Sequence, residues 1–163
     1  MSKLQWIQNK IMDKTSLLRF CQSQKVKGRK IVFTNGCFDI LHHGHIDLLA
    51  KAADEGEILI IGLNSDSSVK RLKGSERPVN NEGDRAFLLA SLLCVDAVCF
   101  FNEDTPLSLI QAINPDVLVK GGDYNKESII GAVEVESKGG KVVIVPFVEG
   151  YSTSKLVHQI KQL

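Results

Sequence analysis

The sequence contains no apolar run approaching the ~20 residues that a membrane span needs. Its opening, Met1-Ser2-Lys3-Leu4-Gln5-Trp6, lacks the apolar core of a secretory signal. A soluble protein of the cytoplasm, with no membrane partner, is therefore expected. Cysteine is sparse: Cys21, Cys37, Cys94 and Cys99 form no C-x-x-C pair, and a chain of 163 residues with 44% hydrophobic content can build a core without a disulfide framework. The HExxH zincin pattern, Cys/His fingers, low-complexity tracts, internal repeats and linkers are all missing. These absences predict one domain over residues 1–163, with residues 1–29 as a helical extension packed on it.

An excess of charge is also missing overall, but not locally. The formal net charge is +1, yet residues 1–30 hold eight Lys/Arg against one acidic residue, while the remainder holds twelve against eighteen. The basic arm has little aromatic interleaving and no helix-turn-helix or zinc signature, so nucleic acid is not the expected partner. A solvated helix face, or a contact with an acidic partner subunit, is the expected use of this charge.

What the chain does contain is a concentration of histidine at one turn. Three of its four histidines lie within residues 42–45, in the stretch Thr34-Asn35-Gly36-Cys37-Phe38-Asp39-Ile40-Leu41-His42-His43-Gly44-His45. Ile31, Val32 and Phe33 before it read as a short buried strand, and Ile46, Leu48, Leu49 and Ala52 after it recur with helical spacing. A strand-to-helix turn presents free backbone N–H groups and a positive helix end, which suit an anion. Imidazoles beside such a donor cluster suit a phosphate whose charge grows during reaction. A metal site is the rival, because Asp and His are ligands. The H-x-x-H spacing with a glycine inside matches no established zinc pattern, however, so phosphate is the stronger reading and no protein-held metal is expected.

Apolar runs and breakers continue to alternate along the chain. Leu4, Ile7 and Ile11, then Leu17, Leu18 and Phe20, predict two amphipathic helices. Residues 57–63, 96–101, 117–119 and 142–145 predict four more strands, the first nearly continuous in apolar residues, as central parallel strands are. Helices are predicted between them: one capped by Asn64-Ser65-Asp66 and ended by Gly74, one from Glu82, one with Thr105 as N-cap and Pro106 at its first position, and one around 129–135. A last helix follows Ser152-Thr153-Ser154. Such alternation predicts an α/β fold: a Rossmann-like, open, mostly parallel five-stranded sheet with helices on both faces, and a site at the carboxyl ends of the strands.

Phe38-Asp39-x-x-His42-x-Gly44-His45 resembles the signature of the nucleotidylyltransferase superfamily, enzymes that join a nucleoside monophosphate to a phosphorylated acceptor and release pyrophosphate. Further segments resemble, in order, the adenylyltransferases of ADP-heptose synthesis. They are Asn64-Ser65-Asp66, Lys70-Arg71-Leu72-Lys73-Gly74, Arg77-Pro78-Val79-Asn80, Asp104-Thr105-Pro106, Pro115-Asp116-x-Leu118-Val119-Lys120-Gly121-Gly122-Asp123-Tyr124 and Glu149-Gly150-x-Ser152-Thr153. Those enzymes are often the carboxy-terminal half of a bifunctional protein whose other half is a sugar kinase. The resemblance implies a stand-alone form, a separate heptose kinase upstream and a homo-oligomer. It also implies ATP and D-glycero-D-manno-heptose 1-phosphate as substrates on a route to lipopolysaccharide, with Mg²⁺ entering as the counterion of ATP.

The resemblance further assigns residues. His42, His45 and Lys73 would be catalytic. Asn35, Gly36, Cys37, Phe38, Asp39, Gly44, Gly122, Asp123, Ser152, Thr153 and Ser154 would hold the nucleotide, with Asp39 equally suited to a structural helix-entry role and Ser152-Thr153 to ordinary capping. Lys70, Arg77, Arg85 and Lys120 would meet the acceptor; Lys70 competes with Lys73 for the phosphates, and Arg85 suits a phosphate contact or an ion pair. Cytidylyltransferases that make CDP-glycerol carry an arginine two residues before their closing Glu-Gly, where this chain has Phe147. That departure favours ATP over CTP. A transferase using CTP or another phosphorylated acceptor remains open, as does a nucleotide-sensing module without catalysis; a class I aminoacyl-tRNA synthetase fragment lacks its lysine-rich second signature.

Overall fold

In the computed structural model, which describes residues 1–122, 125–160 and 162, the apolar runs form five strands: β1 (Ile31–Gly36), β2 (Ile58–Asn64), β3 (Ala97–Phe101), β4 (Val117–Gly121) and β5 (Lys141–Val145). All neighbours pair in parallel, in the order β3-β2-β1-β4-β5. The chain therefore moves outward from β1 in one direction through β2 and β3, then restarts on the other side with β4. This reversal makes the β1/β4 boundary the topological switch point, where ligands of open α/β sheets bind. The β1–β4 ladder covers only two pairs, Val32↔Val117 and Phe33↔Leu118, against six for β1–β2. Beyond Phe33 the two strands are no longer laddered to each other, and a crevice can open at their carboxyl ends.

The helices are α1 (Lys3–Gln8), α2 (Lys14–Val26), α3 (His43–Ala53), α4 (Asp66–Lys73), α5 (Glu82–Ser91), α6 (Leu107–Ile113), α7 (Ala132–Ser137) and α8 (Thr153–Ile160). Strand side chains alternate between two cores, as the period of two requires. Ile31, Phe33, Ile58, Ile60, Cys99 and Leu118 pack with residues of α2, α6 and α7. Val32, Leu59, Ile61, Leu63, Val98 and Val119 pack with residues of α3 and α5. Gly62 is required by this packing, because a Cβ there would lie 2.6 Å from the Phe33 ring.

Several boundaries differ from the sequence reading, among them α7, which begins at Ala132 and not near 129. The first helix stops at Gln8, and Ile11 forms a parallel bridge with Val98 instead of a third helical contact. Met12 donates its N–H to Val98 O (2.9 Å) and Val98 donates to Lys10 O (2.8 Å), so this link lies along the outer edge of β3. Pro106, not Thr105, is the N-cap of α6, with Leu107 its first helical residue.

Candidate active site

The turn after β1 is held by buried ion pairs. Phe38 takes a left-handed conformation (φ 45°), which a non-glycine residue adopts only where its surroundings fix it. Its ring packs across Gly36, where a Cβ would meet Phe38 Cε2 at 3.0 Å, and tilts against His45 with centroids 5.2 Å apart. The next residue, Asp39, is only 2% exposed. Its Oδ2 accepts from Arg77 Nη1 (2.5 Å), and its Oδ1 accepts from the Val79 and Asn80 N–H groups (2.7 and 3.0 Å). Arg85 is buried at 1% exposure and donates to Asn80 O, Cys37 O and Asp66 Oδ1 at 3.0, 2.6 and 2.8 Å.

These bonds engage three of the expected site residues with protein partners. Asp39 accepts from protein donors, as its helix-entry role requires. Arg77 pairs with Asp39, and Arg85 clamps the turn, the 77–80 loop and the start of α4; of its two expected roles, the ion pair is present. Neither guanidinium is among the residues that line the two cavities beside this turn. Gly122 donates its N–H to Val145 O (2.9 Å), continuing the pairing of β4 with β5. Asp123 lies outside the described residues.

Above the turn, α3 begins at His42 with no side-chain cap, leaving its first N–H groups available to an anion. The rings of His42 and His45 stack, with centroids 3.8 Å apart and 22° between planes. The Nδ1 atoms of both are buried without a hydrogen-bond partner. Gly44 permits this arrangement, since a Cβ there would lie 3.3 Å from the His42 ring and 3.5 Å from Tyr151 Cβ. Burial lowers the pKa of His42. In His45 burial, helped by the neighbouring His42 and Lys73 and partly opposed by the Ile40 carbonyl, lowers it to about 4. Both imidazoles are therefore uncharged near neutrality.

Two cavities flank this turn. The first, about 560 Å³, brings together His42, Gly44, His45 and Lys73 with Ser152, Thr153 and Ser154 at the start of α8. Seven sequence-derived residues thus converge. The segment Phe147–Tyr151 and Lys155 complete its wall. Lys73 lines it whereas Lys70 does not. Ser152 Oγ accepts from Lys155 N (3.1 Å), so it also caps the helix.

The second cavity, about 400 Å³, lies at the switch point and is lined by Asn35, Gly36, Cys37 and Lys120, together with Asn64, Asp104, Thr105 and Ser128. Lys120 donates to Asn35 Oδ1 (3.1 Å), joining the ends of β4 and β1, and burial lowers its pKa. Asn35, Gly36 and Cys37, expected around the nucleotide, line this second space. Burial raises the pKa of the Cys37 thiol, which leaves it protonated and a poor nucleophile. Phe147, Asn64 and Asp104 escaped assignment as site residues because Asn64 ends β2 and the other two lie in connections after strands, placements only strand order makes meaningful.

Residues 33–159 match the family model described as cytidylyltransferase-like. The chain is 51% identical over 152 residues to the bifunctional protein HldE of Geotalea uraniireducens, covering 93% of this chain and 31% of that protein. HldE of Helicobacter hepaticus is 52% identical over 158 residues, covering 97% and 32%. The chain thus spans about a third of the length of these relatives. Among solved structures, a lipopolysaccharide core biosynthesis protein from Thermoplasma volcanium superposes with a TM-score of 0.61 at 28% identity, over 77% of this chain and all of that one. Pantoate-beta-alanine ligase from Francisella tularensis superposes at 0.64 with 17% identity, over 94% and 78%, a likeness of fold alone.

Proposed function

The chain belongs to the cytidylyltransferase-like family of nucleotidyltransferases, and from that premise we propose that it transfers AMP from ATP to D-glycero-D-manno-heptose 1-phosphate, giving ADP-heptose and pyrophosphate. The observation that carries this reading is the pair of cavities on either side of one anion-binding turn, each with its own lysine: Lys73 in the first, Lys120 in the second. Two phosphorylated reactants need two such places. The relatedness to HldE and to a lipopolysaccharide core biosynthesis protein supports a glycan precursor as product.

The triphosphate occupies the first cavity, over the α3 N-terminus, with Lys73 and the Ser152–Ser154 segment around its phosphates. The sugar phosphate occupies the second, held by Lys120 and Asn35. The acceptor phosphate is already ionised near pH 7, so it attacks the α-phosphorus without a general base. A new P–O bond forms while the bond to the bridging α,β-oxygen breaks, and pyrophosphate leaves with that electron pair. The chain's task is alignment and charge stabilisation. The half-buried imidazoles of His42 and His45 donate hydrogen bonds to the phosphates, and the arriving negative charge favours their protonation.

Among the described residues no group of three or more His, Cys, Asp or Glu side chains is placed to hold a metal, and Glu149 is the first cavity's lone carboxylate. Mg²⁺ therefore fits as the triphosphate's own counterion, where it would neutralise phosphate charge. No described helix is long and apolar enough to cross a membrane. A single cytoplasmic domain, a homo-oligomer and a separate upstream heptose kinase belong to the same proposal.

The test is pyrophosphate release with Mg-ATP and Mg-CTP against a panel of sugar 1-phosphates. Turnover with ATP and the heptose phosphate is expected. Turnover only with CTP, or only with another acceptor, overturns the substrate assignment.

A further inference from the structure

Three consecutive residues at the end of α4 face three different places. Lys73 lines the first cavity and Leu72 the second. Arg71 lines neither and reaches instead to the loop after β3: its Nε donates to Asp104 Oδ1 (2.8 Å) and its Nη2 to Asn102 O. Asp104 in turn lines the second cavity. One guanidinium thus joins the helix that delivers a lysine to the first cavity with the loop that walls in the second.

The two ends of α4 are held very differently. Its start is laced to the same loop by Ser65 Oγ and Ser67 Oγ, both donating to Asn102 Oδ1, and by Ser68 Oγ donating to Glu103 O (3.1 Å). Ser65 N–H also donates to Phe101 O (3.0 Å). Val69 is the last buried residue of the helix, and residues 70–76 are all exposed. Among the described residues, Arg71 makes the only side-chain hydrogen bonds between this last turn and the rest of the chain.

Stability does not account for this contact. The Arg71 and Asp104 side chains are 47% and 67% exposed, and ion pairs so exposed add little to folding. What the contact fixes is a position. In-line transfer needs the acceptor oxygen in the second cavity within roughly 3–3.5 Å of the α-phosphorus in the first, and a displacement of ~1 Å costs up to ~100-fold in rate. We propose that Arg71 is a positioning residue, holding Lys73 and the Asp104 wall in register so that the two bound reactants meet in line. The inference rests on the nucleotidyl-transfer reading and adds to it the part that sets the distance between the cavities. The planar fork of arginine suits this task, because it holds a carboxylate and a carbonyl of one loop at once, whereas a lysine ammonium is a point charge on a flexible stem.

The test compares the full chain with Arg71→Ala and Arg71→Lys. Calorimetry measures binding of Mg-ATP alone and of D-glycero-D-manno-heptose 1-phosphate alone, and pyrophosphate release with both gives kcat. Arg71→Ala is expected to bind each reactant within ~3-fold of the wild type, because each cavity keeps its own lining residues, yet to lose ~10- to 100-fold in kcat. Arg71→Lys, which keeps the charge but not the fork, is expected to lose most of the same factor. A kcat within ~2-fold of the wild type in Arg71→Ala overturns the proposal. So does a loss carried by ATP affinity with kcat unchanged, which would make Arg71 a charge that attracts the triphosphate, and so does a wild-type kcat in Arg71→Lys. Should Arg71→Ala not fold, as its circular dichroism spectrum would show, the lysine variant decides alone. A wild-type chain that binds neither reactant and releases no pyrophosphate overturns the nucleotidyl-transfer reading and this proposal with it; turnover in the wild type with no effect at Arg71 overturns this proposal alone.

Discussion

His45 combines burial, a stacked neighbour and an unpartnered Nδ1, and two expected outcomes follow from that environment. The first concerns rate. Removing one preorganised donor to developing phosphate charge costs ~100-fold or more, so His45→Ala is expected to lower kcat by that factor in the pyrophosphate assay while its circular dichroism spectrum stays that of the wild type. Near-normal turnover would remove this histidine from the chemistry. The second concerns stability. An unfolded His45 titrates near its ordinary 6.5, and the folded one at about 4. Between these values the unfolded chain binds more protons, so the contribution is complete above pH 6.5 and is lost as pH falls toward 4. Thermal midpoints measured across that range should drop less on acidification in His45→Gln, whose side chain does not titrate; parallel profiles for the two proteins would contradict the shift.

Between elements, the charged residues do their work in pairs. Asp39 ties the β1–α3 turn to the loop before α5, and Arg85 ties the same turn to Asp66 at the start of α4, the helix that ends in Lys73. Truncating Asp39 leaves the Arg77 guanidinium and two backbone N–H groups without their acceptor. Asp39→Ala is therefore expected to lose ~3 kcal/mol or more of unfolding free energy, the scale of a broken buried pair. Urea denaturation measures it, and a loss within ~0.5 kcal/mol, the usual size for a surface change, would place Asp39 outside the structural network. Such pairings mark the limit of what was legible in the sequence. Strands and most helices were readable because hydrophobic period and caps are local signals. The convergence of His42, His45, Lys73 and Ser152 was readable as well, since strand ends gather at one edge. The partnership of Asp39 with Arg77 spans 38 positions, and nothing in the local pattern distinguishes an arginine that binds a ligand from one that binds the protein. Which cavity Asn35 and Cys37 line was not legible for a related reason: the order of β1 and β4 decides which side of the turn they face.

At the scale of the molecule, the basic amino-terminal arm has a structural explanation. Lys25 donates to Ile113 O and Asn114 O (2.8 and 2.6 Å), covering the carboxyl end of α6. Lys14 reaches Ser108 Oγ (3.2 Å). Lys10, only 8% exposed, donates to Leu92 O (3.3 Å) and lies 3.6 Å from the Trp6 ring centroid. Half of this arm, α1 and the link, packs Ile7 and Ile11 on the α3/α5 core, while α2 packs Leu17 and Cys21 on the opposite one. The chain thus wraps the sheet at β3, and the Lys10–Met12 link occupies hydrogen-bonding groups that would otherwise form an open edge. Open edges template intermolecular pairing. Deleting residues 1–12 is expected to remove two ladder hydrogen bonds and the Ile7 and Ile11 contacts, lowering stability by ~3 kcal/mol. It should also make light scattering rise with protein concentration at temperatures where the intact chain stays clear. The site lies at the opposite ends of β1 and β4, so nucleotide affinity of the fraction that remains folded should be unchanged; a deletion that weakened ATP binding without promoting association would show that the arm serves the site and not the edge.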